Sequence, residues 1–101
     1  SEMINVGGFK VNPAEIEDII KNINGVKDAI VFGKNNSLMG QIIVTNIIKE
    51  SSEDENVLRD KIKKIIKSKL QEYKLPRLIK FVNSFNLTRT GKVKKKWKPF
   101  Y

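Results

Sequence analysis

Residues 41–48 constrain the fold of this chain most, because as a strand they would be apolar on both faces. The apolar members of this run are Ile42, Ile43, Val44, Ile47 and Ile48. A strand of this kind lies in the centre of a sheet or under helices, since neither face suits water. The chain is therefore expected to fold around a packed sheet, and the flanking sequence must supply the neighbouring strands and helices.

Three other segments are β-prone and can provide those neighbours. Residues 26–32 predict a strand before the apolar run, and the Gly-Lys-Asn-Asn-Ser sequence of residues 33–37 has the chemistry of a turn between the two. Residues 77–82 predict a third strand of the main sheet. Near the start, residues 3–11 contain two short β-prone runs joined by two glycines. This pattern predicts a β-hairpin, because the primed turns of hairpins need positive φ.

A first helix is expected after the hairpin. Asn12 can accept the free amide hydrogens of a helix N-terminus, and Pro13 suits the first helical position. Glu15 stands where a capping-box acid would, and Gly25 can adopt the left-handed conformation that ends a helix. Apolar residues recur on one face at helical spacing, at Ile16, Ile19, Ile20 and Ile23.

A second helix is expected to begin at residues 52–55, whose acids lie at the positive end of the helix dipole. Its apolar stripe has the 3.6-residue period and consists of Leu58, Ile62, Ile65, Ile66, Leu70 and Tyr73. The helix should stop before Pro76, because a proline disfavours helical conformation in the residue before it. Residues 83–92 predict a loop, and residues 93–98 predict a last short helix.

Together these elements predict an α+β fold, a small single domain over residues 1–101. It has an N-terminal β-hairpin and a three-stranded sheet packed by amphipathic helices. The 101 residues suffice for one core, because a second core would need considerably more chain. A chain of this length buries roughly 60–70% of its extended-chain surface, so we expect it to fold alone with modest stability.

The composition excludes several kinds of chemistry. The chain contains no Cys and no His, which removes disulfides, thiol catalysis, zinc fingers and histidine acid–base catalysis. We predict no metal site in it. No apolar run approaches the roughly 20 residues that span a bilayer, and no charged-then-apolar leader opens the chain. We therefore expect a cytoplasmic protein with no membrane partner.

The charge of the chain allows two interpretations. The formal net charge is +9, and Lys supplies 17 of the 20 basic residues. This excess fits solvated lysine faces, or a surface that binds a polyanion. Arginine is the better reader of phosphates and bases. The scarcity of arginine, with the lack of interleaved aromatic residues, makes a small basic nucleic-acid-binding module the less favoured alternative.

Two predicted loops contain residues that could bind a ligand or take part in catalysis. Residues 87–93, Leu-Thr-Arg-Thr-Gly-Lys-Val, can deliver an ammonium group to a negatively charged oxygen, and the glycine permits close approach. This loop lacks the earlier glycine and the following Ser or Thr of a Walker phosphate loop. In residues 5–10, two adjacent glycines let the backbone approach a ligand. Residue types alone leave an ordinary surface loop and a plain hairpin turn open as alternatives.

Four segments in this order resemble the C-terminal domain of the adenylate-forming superfamily. This superfamily includes acyl-CoA synthetases, aryl-CoA ligases, luciferases and peptide-synthetase adenylation domains. The matching segments are residues 3–17, residues 24–29, the Tyr-Lys-Leu-Pro of residues 73–76 and the Thr-Arg-Thr-Gly-Lys-Val of residues 88–93. The resemblance covers nearly the whole chain, and four ordered segments are more specific than any one of them.

The resemblance implies a two-step reaction in which a small domain serves both steps. A carboxylic acid and ATP first give an acyl-adenylate and pyrophosphate. A thiol, usually that of coenzyme A, then displaces AMP and forms a thioester. In this superfamily the small domain rotates between the steps, so that each of its faces serves one half-reaction.

The resemblance also implies roles for the residues that match the motifs. Lys92 is the lysine that binds the substrate carboxylate and the α-phosphate oxygens during adenylation, and Thr90 and Gly91 shape its loop. Further positions follow from the hairpin match, namely Gly7 and Gly8 along the pantetheine tunnel, Phe9 flanking that tunnel, Lys10 near the nucleotide, and Ser1 and Glu2 at the hinge. Ser1 departs from the acid usual in the family at its position, and Asn5 stands where many members have lysine.

The implied cofactors and partners belong to a longer enzyme. They are ATP with magnesium, coenzyme A, a carboxylic acid and the domain's own N-terminal adenylation domain. We expect this domain alone to bind no cofactor and to be inactive, because Lys92 then has no active site to enter. An adenylation domain that acts on a carrier protein, as in peptide synthetases, is the alternative within the same class.

Overall fold

The computed structural model describes residues 2–85 and shows an α+β fold built on one five-stranded sheet. The elements follow in the order β1 (Ile4–Val6), β2 (Phe9–Val11), α1 (Pro13–Lys21), β3 (Val26–Asn36), β4 (Gly40–Lys49), α2 (Glu55–Lys69) and β5 (Leu78–Phe81). A 3₁₀ turn, Glu72–Lys74, lies between α2 and β5. The predicted fold class is confirmed, and the predicted helix at residues 93–98 lies outside the described residues.

The apolar run forms the central strand, β4, as its composition indicates. β3 pairs antiparallel with β4 along one side. On the other side, β5 pairs parallel with residues 44–47, and β1 pairs antiparallel through Val6 and Gly40. The hairpin of β1 and β2 therefore extends the main sheet, where the sequence predicted a three-stranded sheet beside a hairpin.

The turn between β3 and β4 lies later than predicted. Residues 33–36 continue β3, and Asn36 pairs with Gly40. The Asn36 Oδ1 atom accepts hydrogen bonds from the backbone amides of Leu38 at 3.0 Å and Met39 at 2.9 Å. The long ladder with β4 outweighs the turn-like composition, since Gly and Asn are weak strand formers that a paired neighbour can hold extended.

Helix α1 begins where the sequence predicts and ends earlier. Its N-cap is Asn12, whose Oδ1 accepts from the Ala14 amide at 3.0 Å. The helix ends at Lys21, and Gly25, with φ of +103°, lies in the turn that follows. The Glu17 Oε2 atom accepts from the Val31 amide of β3 at 2.8 Å. This bond occupies an outward-facing amide of a strand at the sheet edge, where unpaired groups invite association.

Helix α2 begins at Glu55 and is capped by Asp54, whose Oδ1 accepts from the Val57 amide at 3.1 Å. It ends at Lys69, before the predicted last member of its stripe, Tyr73. The chain then turns through the 3₁₀ segment, so Pro76 follows a helix that has already ended. Within the described part of the chain, no helix combines the length and apolar character that crossing a membrane would need.

The core consists of aliphatic side chains from both helices and from the sheet. It includes Ile4, Val11, Ile16, Ile20, Ala29, Val31, Ile43, Ile47, Leu58, Ile62 and Ile66. The helix members are the ones the 3.6-residue stripes predict. Burying an Ile, Leu or Val side chain stabilises the folded state by roughly 1.5–3 kcal/mol relative to leaving that side chain exposed. This core fixes the sheet that carries the N-terminal hairpin.

Thr45 of β4 lies in the core without a partner for its hydroxyl. The side chain is fully buried, and among residues 2–85 its Oγ1 has no hydrogen-bond partner. We expect Thr45→Val to raise the free energy of unfolding by about 1 kcal/mol, because it keeps the shape and removes an unpaired buried polar group. Urea denaturation of the 101-residue chain measures the change.

The control for this prediction is Thr45→Ser, which keeps the hydroxyl and deletes the methyl group. We expect it to lower the free energy of unfolding by about 1 kcal/mol, because the methyl group is lost from the core. A Thr45→Val chain less stable than the wild type would contradict the prediction. It would show that the hydroxyl has a hydrogen-bond partner beyond residues 2–85, such as a buried water molecule.

Candidate functional site

The two glycines between β1 and β2 form a tight turn with one open surface. Gly7 has φ of +57° and Gly8 of +96°, so both need the left-handed region that other residues rarely adopt. A Cβ atom on Gly7 would lie 3.3 Å from the Cε of Met39, whereas a Cβ on Gly8 would meet no atom within 4 Å. The predicted hairpin is confirmed, and its backbone is accessible at Gly8.

Hydrogen bonds hold this turn, which we call the glycine turn (residues 5–8), in one position. The Gly8 amide donates to Oδ1 of Asn5 at 2.9 Å. The Gly7 amide donates to the Met39 carbonyl at 2.7 Å, and the Asn5 amide donates to Oε1 of Gln41 at 2.7 Å. The last two bonds join the glycine turn to β4 and to the turn before it.

An aromatic pair holds the other side of the hairpin. The rings of Phe9 and Tyr73 stack with their centroids 4.3 Å apart and their planes at 21°. Such a pair stabilises the fold by about 0.5–1.5 kcal/mol beyond the effect of burying the two side chains. The Lys74 Nζ lies 5.8 Å from the Tyr73 ring centroid and donates a hydrogen bond to Oε1 of Glu15 at 3.0 Å. Glu15, expected from the sequence to act as a capping-box acid, thus ties α1 to the 3₁₀ turn.

The structure brings together the predicted hairpin residues. Gly7, Gly8 and Phe9 are adjacent, and Phe9 remains 55% exposed despite its stacking. Lys10 is exposed on β2 and pairs with Asn5 across the hairpin. Glu2 is exposed two residues before β1 begins. Other predicted site residues, namely Ser1, Thr90, Gly91 and Lys92, lie outside the described residues, as does the loop of residues 87–93.

The glycine turn and the end of β5 lie toward opposite ends of the sheet. The turn is next to Gly40, at the start of β4, whereas Phe81, at the end of β5, pairs with Ile47. Seven residues of strand separate these two positions on β4, a span of about 23 Å at 3.3 Å per residue. The end of β5 is therefore remote from the glycine turn.

The described residues do not form a recognisable metal site. Across residues 2–85, no group of three or more acidic side chains is placed to hold a metal ion. A polar groove of about 430 Å³ lies at the β5 end of the sheet. It is lined by Lys27, Ile48, Lys49, Glu50, Ser51, Glu55, Phe81, Val82 and Asn83. Its mixed charges define no single ligand.

Sequence reasoning missed two groups that surround the glycine turn. Gln41 was assigned only to a strand, and the Phe9–Tyr73 stack joins segments far apart in the chain. One signal for Gln41 was present, because a glycine inside a strand indicates close approach of another group. That glycine is Gly33, which the sequence predicted to lie in a turn.

The described residues form a small α+β domain whose backbone is exposed at Gly8 of the glycine turn. This description agrees with comparison to known proteins. The chain belongs to the family of AMP-binding enzyme C-terminal domains, whose profile matches residues 15–92.

The relatives of this chain are named as coenzyme A ligases. It is 35% identical over 95 residues to 2-succinylbenzoate–CoA ligase of Listeria monocytogenes, covering 94% of this chain and 20% of that protein. It is 36% identical over 94 residues to a mitochondrial medium-chain acyl-CoA ligase of Rattus norvegicus, covering 93% of this chain and 15% of that one. The chain thus spans a fifth or less of the length of these relatives.

A solved structure agrees with the sequence relatives. The fatty acyl CoA synthetase of Mycobacterium tuberculosis superimposes with a TM-score of 0.74 at 30% identity. The match covers 84% of this chain and 16% of that one. The resemblance predicted from the four motif segments is therefore confirmed at the level of the family.

Proposed function

We propose that this chain is the C-terminal domain of an ATP-dependent, AMP-forming acid–thiol ligase of the acyl-CoA synthetase type. The observation that carries the proposal is the glycine turn, which is open at Gly8 and held by hydrogen bonds, in a member of the AMP-binding enzyme C-terminal family. The names of the relatives support coenzyme A as the thiol.

The glycine turn serves the thioester-forming step in this proposal. The pantetheine arm of coenzyme A is a long, narrow chain, so a tunnel for it needs a wall without projecting side chains. Gly7 and Gly8 provide such a wall. The exposed part of the Phe9 ring flanks it with apolar surface, and we assign Lys10, the next residue of β2, to a contact with the nucleotide.

Lys92 serves the adenylation step. Its ammonium group binds the substrate carboxylate and the α-phosphate oxygens, where negative charge builds up on the transferring group. A fixed cation at that point stabilises the transition state more than the ground state. Thr90 and Gly91 shape the loop that carries it.

The two steps use different parts of the domain, which must therefore move between them. In this proposal the glycine turn serves one half-reaction and the loop that carries Lys92 serves the other, and rotation of the domain brings each to the reaction centre in turn. The hinge for this rotation lies at Ser1 and Glu2. The partners are an N-terminal adenylation domain, ATP with magnesium, a carboxylic acid and coenzyme A.

The experiment that tests this function uses the parent chain, in which this domain follows its adenylation domain. ATP–pyrophosphate exchange is measured with a panel of carboxylic acids, and thioester formation is measured with coenzyme A and with a phosphopantetheinylated carrier protein. We expect acid-dependent exchange and a coenzyme A thioester. Transfer to the carrier protein alone would favour the peptide-synthetase type, and no exchange with any acid would overturn the proposal.

The isolated 101-residue chain is expected to fold without catalysing either step. The residues that bind ATP and the acid lie in the adenylation domain in this proposal, so Lys92 has nothing to act on. We expect a cooperative unfolding transition by circular dichroism and no ATP–pyrophosphate exchange above the blank. ATP–pyrophosphate exchange by the isolated chain would contradict the assignment of ATP and acid binding to the adenylation domain.

A further inference from the structure

The hairpin joins the rest of the sheet through a very short backbone ladder. Among the described residues, β1 and β4 share one residue pair, Val6 with Gly40. The Gly7 amide adds one bond, to the Met39 carbonyl at 2.7 Å. A ladder of this length supplies few backbone bonds to set the register of the hairpin, so side-chain contacts hold it as well, among them the buried Ile4 and Val11 in the core.

A side chain takes the place of the next bond in that ladder. The Gln41 Oε1 atom accepts from the Asn5 backbone amide at 2.7 Å, across 36 residues of sequence. Asn5 in turn accepts from Gly8 through its Oδ1 at 2.9 Å. The Gln41 amide group is therefore linked to Gly8 through a single intervening residue.

The space for the Gln41 side chain is created by Gly33. Gly33 does not have positive φ, unlike Gly7, Gly8, Gly25 and Gly40, so its backbone conformation suits any residue. A Cβ atom built on it would lie 2.6 Å from Gln41 Nε2 and 3.0 Å from Cγ2 of Ile4. Gly33 is therefore needed because it lacks a Cβ atom. The Gln41 side-chain amide occupies the space that a Cβ would take.

We propose that Gln41, lying over Gly33, is a positioning residue that holds the glycine turn in place for the thiol-dependent step. This inference rests on the function proposed above, since it assigns Gln41 to the step that uses Gly7 and Gly8. Gln41 acts through the Asn5 amide and touches no reacting atom. Small displacements of positioned groups slow reactions strongly, by up to about 10²-fold for 1 Å.

The test compares three side chains of nearly equal length at position 41 in the parent chain. Gln41→Met removes the oxygen acceptor, and Gln41→Glu keeps one. We expect Gln41→Met to slow thioester formation from preformed acyl-adenylate by about tenfold, with ATP–pyrophosphate exchange within about twofold of wild type. We expect Gln41→Glu to restore thioester formation to within about twofold, because a carboxylate oxygen accepts from the Asn5 amide equally well.

Amide hydrogen exchange tests the hydrogen bond between the Asn5 amide and Gln41 independently of catalysis. In the 101-residue chain we expect the Asn5 amide to exchange at least about tenfold faster in Gln41→Met than in wild type, and to stay protected in Gln41→Glu. Gly33→Ala provides a second route, because its Cβ displaces the Gln41 amide while leaving Gln41 in the sequence. It should expose the Asn5 amide and slow the thiol-dependent step as Gln41→Met does.

The outcomes separate this inference from the proposed function. A Gln41→Met enzyme with wild-type thioester formation would overturn the positioning role, as would a Gln41→Glu enzyme as slow as Gln41→Met. A wild-type parent chain without coenzyme A activity would count against the proposed function. The role of Gln41 in holding the turn would then be decided by the Asn5 exchange rates, and unchanged protection in Gln41→Met would overturn it.

Discussion

Replacing Lys92 by Ala in the parent chain is expected to lower ATP–pyrophosphate exchange by about 10³-fold or more. The physical reason is the loss of a fixed cation at oxygens where charge builds up in the transition state; the loss of a single neutral hydrogen-bond donor from such a site already costs roughly 10²–10³-fold. Thioester formation from preformed acyl-adenylate should be largely kept, because the thiol-dependent step uses the glycine turn. Parallel assays of the two half-reactions measure both effects.

Two variants control this experiment. Lys95→Ala removes the same charge three residues away, and we expect exchange within about threefold of wild type, since Lys95 lies outside the motif of residues 88–93. Lys92→Arg keeps the charge in a larger, planar group, and we expect it to recover little activity because the two cations differ in shape. Unchanged exchange and unchanged thioester formation in Lys92→Ala would show that the motif at residues 88–93 is only structural, and would revive the polyanion-binding interpretation.

Replacing Gly8 by Ala is expected to have the second largest effect, on the opposite half-reaction. The new Cβ meets no atom of the described domain within 4 Å, so it projects into the space that we assign to the pantetheine arm. We expect thioester formation from preformed acyl-adenylate to fall by about 10²-fold, with ATP–pyrophosphate exchange within about threefold of wild type. The same pair of assays separates the two.

The positive φ of Gly8 makes a control necessary, because Ala at +96° is strained whatever the ligand does. Gly40→Ala provides it, since Gly40 has φ of +89° and its Cβ would make an ordinary contact 3.4 Å from the Asn5 carbonyl oxygen. Thermal unfolding compares the strain of the two variants. Equal loss of thioester formation in both would show that strain in or beside the glycine turn is enough to slow the step, and would remove the support for a direct block by the Cβ on Gly8.

Local chemistry predicted several elements of the fold correctly. The N-cap of α1 at Asn12 and the turn at Gly7 and Gly8 follow from residue types within three or four positions. The helical stripes predicted the buried faces of α1 and α2. Signals that act over such short distances remain valid whatever the rest of the chain does, so they can be recognised without the fold.

The boundaries that failed depend on distant partners. Residues 33–36 have the composition of a turn, yet β4 pairs with them and continues β3 to Asn36. Tyr73 fits the stripe of α2, yet it lies in a 3₁₀ turn and stacks on Phe9 of the hairpin. In both places tertiary contacts outweighed local preference, which is worth at most about 1 kcal/mol per residue for ordinary residues.

The candidate site divides in the same way. The sequence alone determined the types of element, the glycine turn and the four motif segments that indicate the family, because each depends on neighbouring residues. Only the tertiary structure decided how the hairpin is held, by Gln41 across 36 residues and by the stack of Phe9 on Tyr73. It also decided that Glu15 binds Lys74 across 59 residues. Such contacts form between groups that the fold brings together, and no local pattern specifies which groups those are.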